Sequence, residues 1–280
     1  MIWGGIEAGG TKFVCAVATE DGRVLDRAQF PTESPVPTIA RVIDFFRGKS
    51  DLAGVGIGSF GPVDLAAGRI TSTPKPGWRN FAFAGAVREK LGVKVAFETD
   101  VNAAAMGEWK WGAARGLDTF LYPTVGTGIG GGAMAGGRLI HGLHHPEMGH
   151  IRVPHDGSYA GMCTYHGDCL EGLACGPALE ARCGKQAEEL LADDPVWEVE
   201  ARLLANGLVN WICTLSPQRI IMGGGVMKQA GLFPLLRKQV AALLNDYVPL
   251  PDIVPPVLGD NAGVLGAVAL CLPAVSARRG

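Results

Sequence analysis

Residues 120–137 read FLYPTVGTGIGGGAMAGG, and Gly126, Gly128 and Gly131 satisfy the G-x-G-x-x-G spacing of a dinucleotide-binding turn. Such a turn must open a helix, whereas Ala133-Met134-Ala135 reads as a second strand closed by Gly136-Gly137. The segment predicts a β-hairpin with a glycine-lined bend. Near the N-terminus, Glu7-Ala8-Gly9-Gly10-Thr11-Lys12 repeats the design. Gly5 and Gly10 have P-loop spacing, but Thr11-Lys12 reverses the required Lys-Thr order, and a strand follows where a helix belongs. Two such turns predict two similar lobes with a phosphate chain between them. Glycines would let phosphate approach the backbone, with Thr11 and Lys12 as further donors.

Outward from these hairpins the chain alternates. Apolar runs at Ile2–Ile6, Lys12–Ala18 and Arg23–Phe30 predict three strands. A helix at Val36–Arg47, a strand at Gly54–Gly58 and a helix near Phe81–Leu91 follow. A strand at Val93–Phe97 and a helix at Val101–Trp111 complete a mixed sheet in an α/β lobe. Further on, Gly172–Cys183 reads as one helix with Pro177 in its first turn, and Val196–Leu215 as the longest helix. Gln218–Met222 is a buried strand, and Leu232–Tyr247 a helix. Asn261–Leu270 is a small-residue helix suited to close packing, and the tail Ser276–Gly280 is expected to fray.

All six histidines lie between His141 and His166, within or beside the stretch Glu147–Glu171, EMGHIRVPHDGSYAGMCTYHGDCLE. Cys163, His166 and Cys169 form a C-x2-H-x2-C cluster, and His150 completes a Cys2His2 set with His155 as its rival. Such ligands suit a closed tetrahedral zinc site. Four protein ligands leave no open position, so the zinc is expected to be structural, holding a loop beside chemistry. His141, His144 and His145 read as residues of a polar loop.

Asp100 follows an apolar strand and opens a helix. It is either the helix N-cap or a general base placed at the end of a strand. Gly223-Gly224-Gly225, after the strand at 218–222, is either an ordinary strand-to-helix turn or a flat surface for an adenine or ribose.

Composition narrows the classes. The 280 residues favour two lobes, and the formal charge of -2 argues against a nucleic-acid surface. No run of about 18 apolar residues suggests a membrane span. The opening MIWGGIEAGG lacks a secretion-signal layout, and seven cysteines without a paired framework read as reduced thiols of a cytoplasmic protein. Cys15, Cys213 and Cys271 sit in apolar contexts and are expected in the core.

Together these stretches resemble the ROK family of sugar kinases. The order Glu7–Lys12, Thr99–Asn102, Gly126–Gly131, Glu147–His150, the Cys/His cluster, Gly223–Gly225 and Asn261–Gly266 matches that family nearly end to end. GIGSFGP, TPKPGW and the C-x2-H-x2-C-L-E form are most similar to its zinc-containing bacterial fructokinases. The resemblance implies an α/β, two-lobed actin/hexokinase-like (ribonuclease H-like) fold with a zinc-binding loop at 147–171. An N-terminal lobe of residues 1–115, completed by the C-terminal helix 261–280, would join a second lobe of residues 116–260. It further implies ATP-dependent phosphorylation of D-fructose to fructose 6-phosphate, with Asp100 as general base. Gly61, Pro62, Asn102, Glu147, His150 and Glu171 would bind sugar. Gly9, Gly10, Thr11, Lys12, Gly126, Thr127 and Gly128 would hold ATP phosphates, and Gly223, Gly224 and Gly225 its adenosine. ATP, Mg2+ and structural Zn2+ are the implied cofactors, with zinc on His150, Cys163, His166 and Cys169, and a homodimer the implied assembly. Other hexoses (glucose, mannose, N-acetylmannosamine) and a non-catalytic sugar-binding protein are the alternatives. The chain departs from the family pattern at Glu7, where aspartate is usual, and at His166, which enters a cysteine set.

Overall fold

Strand β1 (Ile2–Ala8) pairs antiparallel with β2 (Lys12–Ala18), and β2 with β3 (Val24–Pro31). Helix α1 (Pro35–Phe46) starts on Pro35, whose missing N–H costs nothing in a first turn. It returns the chain to β4 (Leu52–Ser59), parallel to β1. Short strands β5 (Val63–Asp64) and β6 (Arg69–Ile70) pair with each other. Helix α2 (Phe83–Leu91) leads to β7 (Lys94–Thr99), parallel to β4, and then to α3 (Asp100–Trp111). The sheet order is β3-β2-β1-β4-β7. One of its faces packs Ile6, Phe13, Ile57, Trp78 and Phe83 into a core.

The next unit repeats that order. Strand β8 (Phe120–Val125) forms the hairpin with β9 (Ile129–Ala135), and β10 (Arg138–Leu139) extends it. A 3-10 turn at Met148–His150 and a long loop precede α4 (Leu170–Ala174), α5 (Gly176–Cys183) and α6 (Val196–Leu215). Strand β11 (Arg219–Ile221) lies parallel to β8, and α7 (Leu232–Leu244) leads to β12 (Asp252–Val254), parallel to β11. The order β10-β9-β8-β11-β12 places the third, second, first, fourth and fifth strands as in the first sheet. This is the ribonuclease H-like arrangement, present twice. Helix α8 (Ala262–Cys271) then packs on α3, β1 and β4 of the first unit.

The computed structural model describes residues Met1–Pro273, so the tail at 276–280 lies outside the described residues. The two units are Met1–Arg115 with the segment from Asp260 onward, and Gly116–Gly259.

Three expectations need correction. The helix at 172–183 is broken at Cys175, which is extended (φ -74, ψ 164). A continuous helix would need an N–H from Pro177 and would drive its ring into the Leu173 carbonyl, so α5 restarts with Pro177 in its first turn. Cys213 is exposed, because a step of about 100° per residue turns it away from the buried Trp211 and Ile212 of α6. The C-terminal helix stops at Cys271.

Candidate active site and metal loop

The Glu147–Glu171 loop brings His150, Cys163, His166 and Cys169 together, their ligand atoms all within 4.8 Å of one another. His150 Nδ1 lies 3.6 Å from both Cys163 Sγ and Cys169 Sγ and 3.2 Å from His166 Nδ1. Cys163 Sγ is 3.7 Å from His166 Nδ1. With Zn–S near 2.3 Å and Zn–N near 2.05 Å, a regular tetrahedron has S···N edges of about 3.6 Å and N···N edges of about 3.3 Å. The donor set therefore fits zinc in both chemistry and spacing. Burial raises the pKa of Cys169, with the nearby Cys163 adding to the effect, so two thiolates here call for a cation. His155 is engaged elsewhere: its Nε2 lies 3.2 Å from Asp168 Oδ2, and its Nδ1 accepts from the Gly157 N–H.

Because His150 turns Nδ1 to the cluster, its Nε2 faces two carboxylates, Glu147 Oε2 and Glu171 Oε1, each at 3.9 Å. Glu147 is flanked on its other oxygen by His145 Nδ1 at 3.5 Å. Burial holds the His145 pKa down at about 4, so its ring is neutral near pH 7. Burial also raises the Glu147 pKa, opposed by His150. Gly149 explains itself by close approach, since a Cβ there would lie 1.9 Å from the Ile129 carbonyl oxygen. The E-x-G-H turn can thus press against β9 only with glycine in that place.

Glu171 joins this loop to the glycine hairpin of the same unit. Its Oε2 accepts from the Ile129 N–H at 2.9 Å, directly after Gly126-Thr127-Gly128. The bend is pinned by Gly126 N–H to the Gly128 carbonyl at 2.9 Å and by Gly176 N–H to the Gly126 carbonyl at 2.7 Å. Val125 N–H donates to the Gly223 carbonyl, which sets Gly223–Gly225 beside the bend. Gly224 has φ +96 and passes so near Val125 that a Cβ would lie 2.2 Å from its carbonyl oxygen. The two glycine stretches, about a hundred residues apart in the chain, form one surface of bare backbone.

In the first unit the Gly9–Lys12 turn closes through Gly9 N–H to the Lys12 carbonyl at 2.9 Å. Thr32 braces it twice, with Oγ1 donating to the Gly9 carbonyl and N–H to the Thr11 carbonyl. The Lys75 ammonium donates to the Gly10 carbonyl. Thr11 and Lys12 are exposed. One turn back, Glu7 Oε2 is buried without a hydrogen-bond partner, and burial raises the Glu7 pKa against the charges of Lys12 and Arg27. A Cβ on Gly263 would lie 2.4 Å from its carboxyl carbon, so glycine there makes room for the longer acid. An orphaned carboxylate oxygen is a hard ligand of the kind magnesium takes, directly or through water.

Asp100 is the first residue of α3, and the cap is Thr99, whose side chain accepts from the Asn102 N–H at 3.2 Å. The cap reading of Asp100 is corrected accordingly: it lies inside the helix, and its Oδ1 accepts the adjacent Val101 N–H. Asn102 is 1% exposed and its amide donates to Glu98 Oε1 at 3.1 Å, which also accepts the Thr99 N–H. The Gly61–Pro62 peptide, just past β4, is cis, and the Pro62 carbonyl accepts both Thr71 N–H and Oγ1–H. Thr32 and Lys75 escaped the sequence reading, as did the roles of Thr99 as cap and of His145 as neighbour of Glu147. Of Thr32 and Lys75, the lysine alone left a mark there, between two prolines in TPKPGW.

Doubled ribonuclease H-like sheets, with glycine hairpins at their β1–β2 and β8–β9 bends and a His/Glu loop in the second unit, are the frame of a sugar kinase that uses ATP. The ROK family profile matches residues 3–273, and the chain belongs to that family. A Bacillus subtilis strain 168 protein is 50% identical over 98% of this chain and 96% of its own. The fructokinase of Lactococcus lactis subsp. cremoris is 44% identical over 95% of each chain. Among solved structures, a ROK family glucokinase from Streptomyces griseus in complex with glucose and AMPPNP is 29% identical with a TM-score of 0.83, over 96% of this chain and 99% of that one. No helix among the described residues is long and apolar enough to cross a membrane.

Proposed function

We propose that this protein transfers the terminal phosphoryl group of ATP to D-fructose, giving fructose 6-phosphate. The observation that carries the reading is the single ring of His150, with one nitrogen committed to the Cys/His cluster and the other turned to Glu147 and Glu171. An imidazole so fixed, between two carboxylates, suits a set of sugar hydroxyls by orientation as well as by charge. The fructose assignment is supported by the 44% identity to a fructokinase, against 29% to the glucose-bound glucokinase.

Each group has a role in this account. His150, Cys163, His166 and Cys169 would hold zinc, which rigidifies the loop and lies outside the chemical step. Gly126–Gly128 and Gly9–Lys12 present backbone N–H groups to the phosphates, and Gly223–Gly225 offers bare backbone to the nucleoside. Glu7 would hold magnesium, which when bound neutralises charge on the transferring phosphates. Asp100 takes the proton of the attacking hydroxyl. Phosphoryl transfer asks mainly for in-line positioning and charge neutralisation, so one base suffices.

ATP-dependent ADP release with Mg2+ across fructose, glucose, mannose and N-acetylmannosamine tests the reading. A strong preference for fructose is expected, and preference for another hexose would overturn the substrate. Asp100→Asn is expected to lower kcat by roughly 10²–10⁴ while keeping the fold, since Thr99 carries the cap. Near-normal turnover in that variant would remove Asp100 from the mechanism.

A further inference from the structure

Lys75 belongs to a segment, TPKPGW, that none of the roles above uses. Trp78 anchors the segment: it is 1% exposed, and its indole N–H donates to the Glu33 carbonyl at 2.8 Å. Pro74 and Pro76 fix φ on either side of Lys75, and the Lys75 N–H reaches Thr73 Oγ1 at 3.4 Å. The side chain is held as firmly. Its ammonium donates to the Gly10 carbonyl and lies 5.6 Å from the centroid of the Phe60 ring. Gly10 is shaped for it, because a Cβ there would lie 2.9 Å from Lys75 Cε and 3.1 Å from Nζ. A half-buried cation has thus been fitted onto a phosphate-type turn.

Nothing anionic from the described residues answers that charge. Burial is the one cause that moves the Lys75 pKa, and it lowers it, with no carboxylate near enough to push it back. One N–H is spent on Gly10, which leaves two donors for a ligand. Lys12, the other lysine of the turn, is by contrast exposed.

We propose that the Lys75 ammonium binds the phosphoryl group under transfer at the Gly9–Lys12 turn, as an ion fixed in advance for the charge that spreads over its oxygens. The inference rests on the kinase reading above. A lysine acts there as a compact point charge, and a preorganised donor aimed at developing charge contributes to kcat more than to ground-state binding.

The test is steady-state kinetics of the zinc-loaded wild type, Lys75→Met and Lys75→Arg, with Mg-ATP and the sugar that the wild type prefers. For Lys75→Met, kcat is expected to fall roughly 10²–10³-fold with the sugar KM within about 3-fold of wild type, and Lys75→Arg to recover part of the loss. A merely structural lysine would lower zinc content and Tm, and neither is expected to move. In the wild type, Mg-AMPPNP is expected to shield Lys75 from amine-directed acetylation, read by mass spectrometry, and this decides the matter if Lys75→Met does not fold. An active wild type with Lys75→Met at near-normal kcat, a raised sugar KM at unchanged kcat, or no shielding would each overturn this inference alone. A folded wild type inert on every sugar would overturn the kinase reading and this inference with it.

Discussion

The two glycine hairpins occupy equivalent places in sheets of the same strand order, yet they are supported by opposite means. The Gly9–Lys12 turn is braced by side chains of its own unit, Thr32 from below and the Lys75 ammonium at Gly10, and it carries positive charge. The Gly126–Gly128 turn meets a carboxylate instead. It is held by backbone donors and by Glu171, a carboxylate that reaches back to the His/Cys loop. One fold has thus been used twice, once to present charge and once to tie a glycine turn to the His/Cys loop. Strand order determines where each bend sits. The residues packed behind the bend determine what it can do.

Metal removal tests that division most harshly. Chelation, or Cys163→Ser, deprives His150, His166 and Cys169 of the ion that the tetrahedral spacing implies. Structural zinc is worth on the order of 10 kcal/mol in small zinc domains, so the loop is expected to melt and activity to vanish. Glu171 would lose its setting, and the second hairpin would loosen while the first stays intact. Hydrogen exchange would read both, with faster exchange expected at the Ile129 amide and little change at Gly9. Equal loosening of both turns, or a pure protein containing no zinc, would break the contrast.

A matched pair of substitutions sharpens it. In Gly10→Ala the new methyl meets the Lys75 side chain at 2.9 Å, whereas in Gly128→Ala it meets Glu171 Oε2 at 2.6 Å. Both obstacles are ends of flexible side chains, so each moves instead of unfolding the protein. Gly10→Ala is expected to lower kcat and Gly128→Ala to raise the sugar KM, each by roughly tenfold, a cost of about 1.4 kcal/mol. Steady-state kinetics on both separates the effects. If both variants raise the same parameter, the two turns do the same work.

Much of this arrangement is legible in the sequence itself. Period-2 apolar runs and glycine punctuation located both hairpins, and the absence of a helix after each bend excluded the two common nucleotide motifs. The cluster Cys163, His166 and Cys169 could be read from spacing because metal ligands in one knuckle are local in sequence. His150 could not be separated from His155 in that way, since the choice depends on which ring turns toward the cluster and which toward Asp168. The cap of α3 stays open in the sequence, because Thr99 and Asp100 are both good capping types and only the backbone turn at Thr99 decides. Lys75 shows the general limit. Its contact with Gly10 spans 65 residues and leaves no periodic trace. Residues that brace a site from elsewhere in the chain have no signature of their own.

The mildest probe of the same contrast is pH. Helix α5, whose Gly176 N–H pins the second hairpin, also carries Arg182, paired with the fully buried Glu200 of α6. Burial pushes the Glu200 pKa up to about 8, opposed by Arg182, and one oxygen of Glu200 has no hydrogen-bond partner. The folded protein therefore keeps this proton between about pH 4.5 and 8, where the unfolded chain has released it. The folded state binds more protons, so the contribution of Glu200 to stability is full below about pH 4.5 and is lost as pH rises through about 8. Thermal melts of the zinc-loaded protein between pH 5 and 8 are expected to show Tm falling as pH rises. Glu200→Gln, which cannot ionise, is expected to flatten that slope by its own share. Glu7 and Glu147, also raised by burial, contribute with the same sign, so the difference between wild type and variant is the quantity that isolates α5. An unchanged slope in Glu200→Gln would mean that the α5–α6 pair stays ionised throughout, and that the second hairpin is held independently of it.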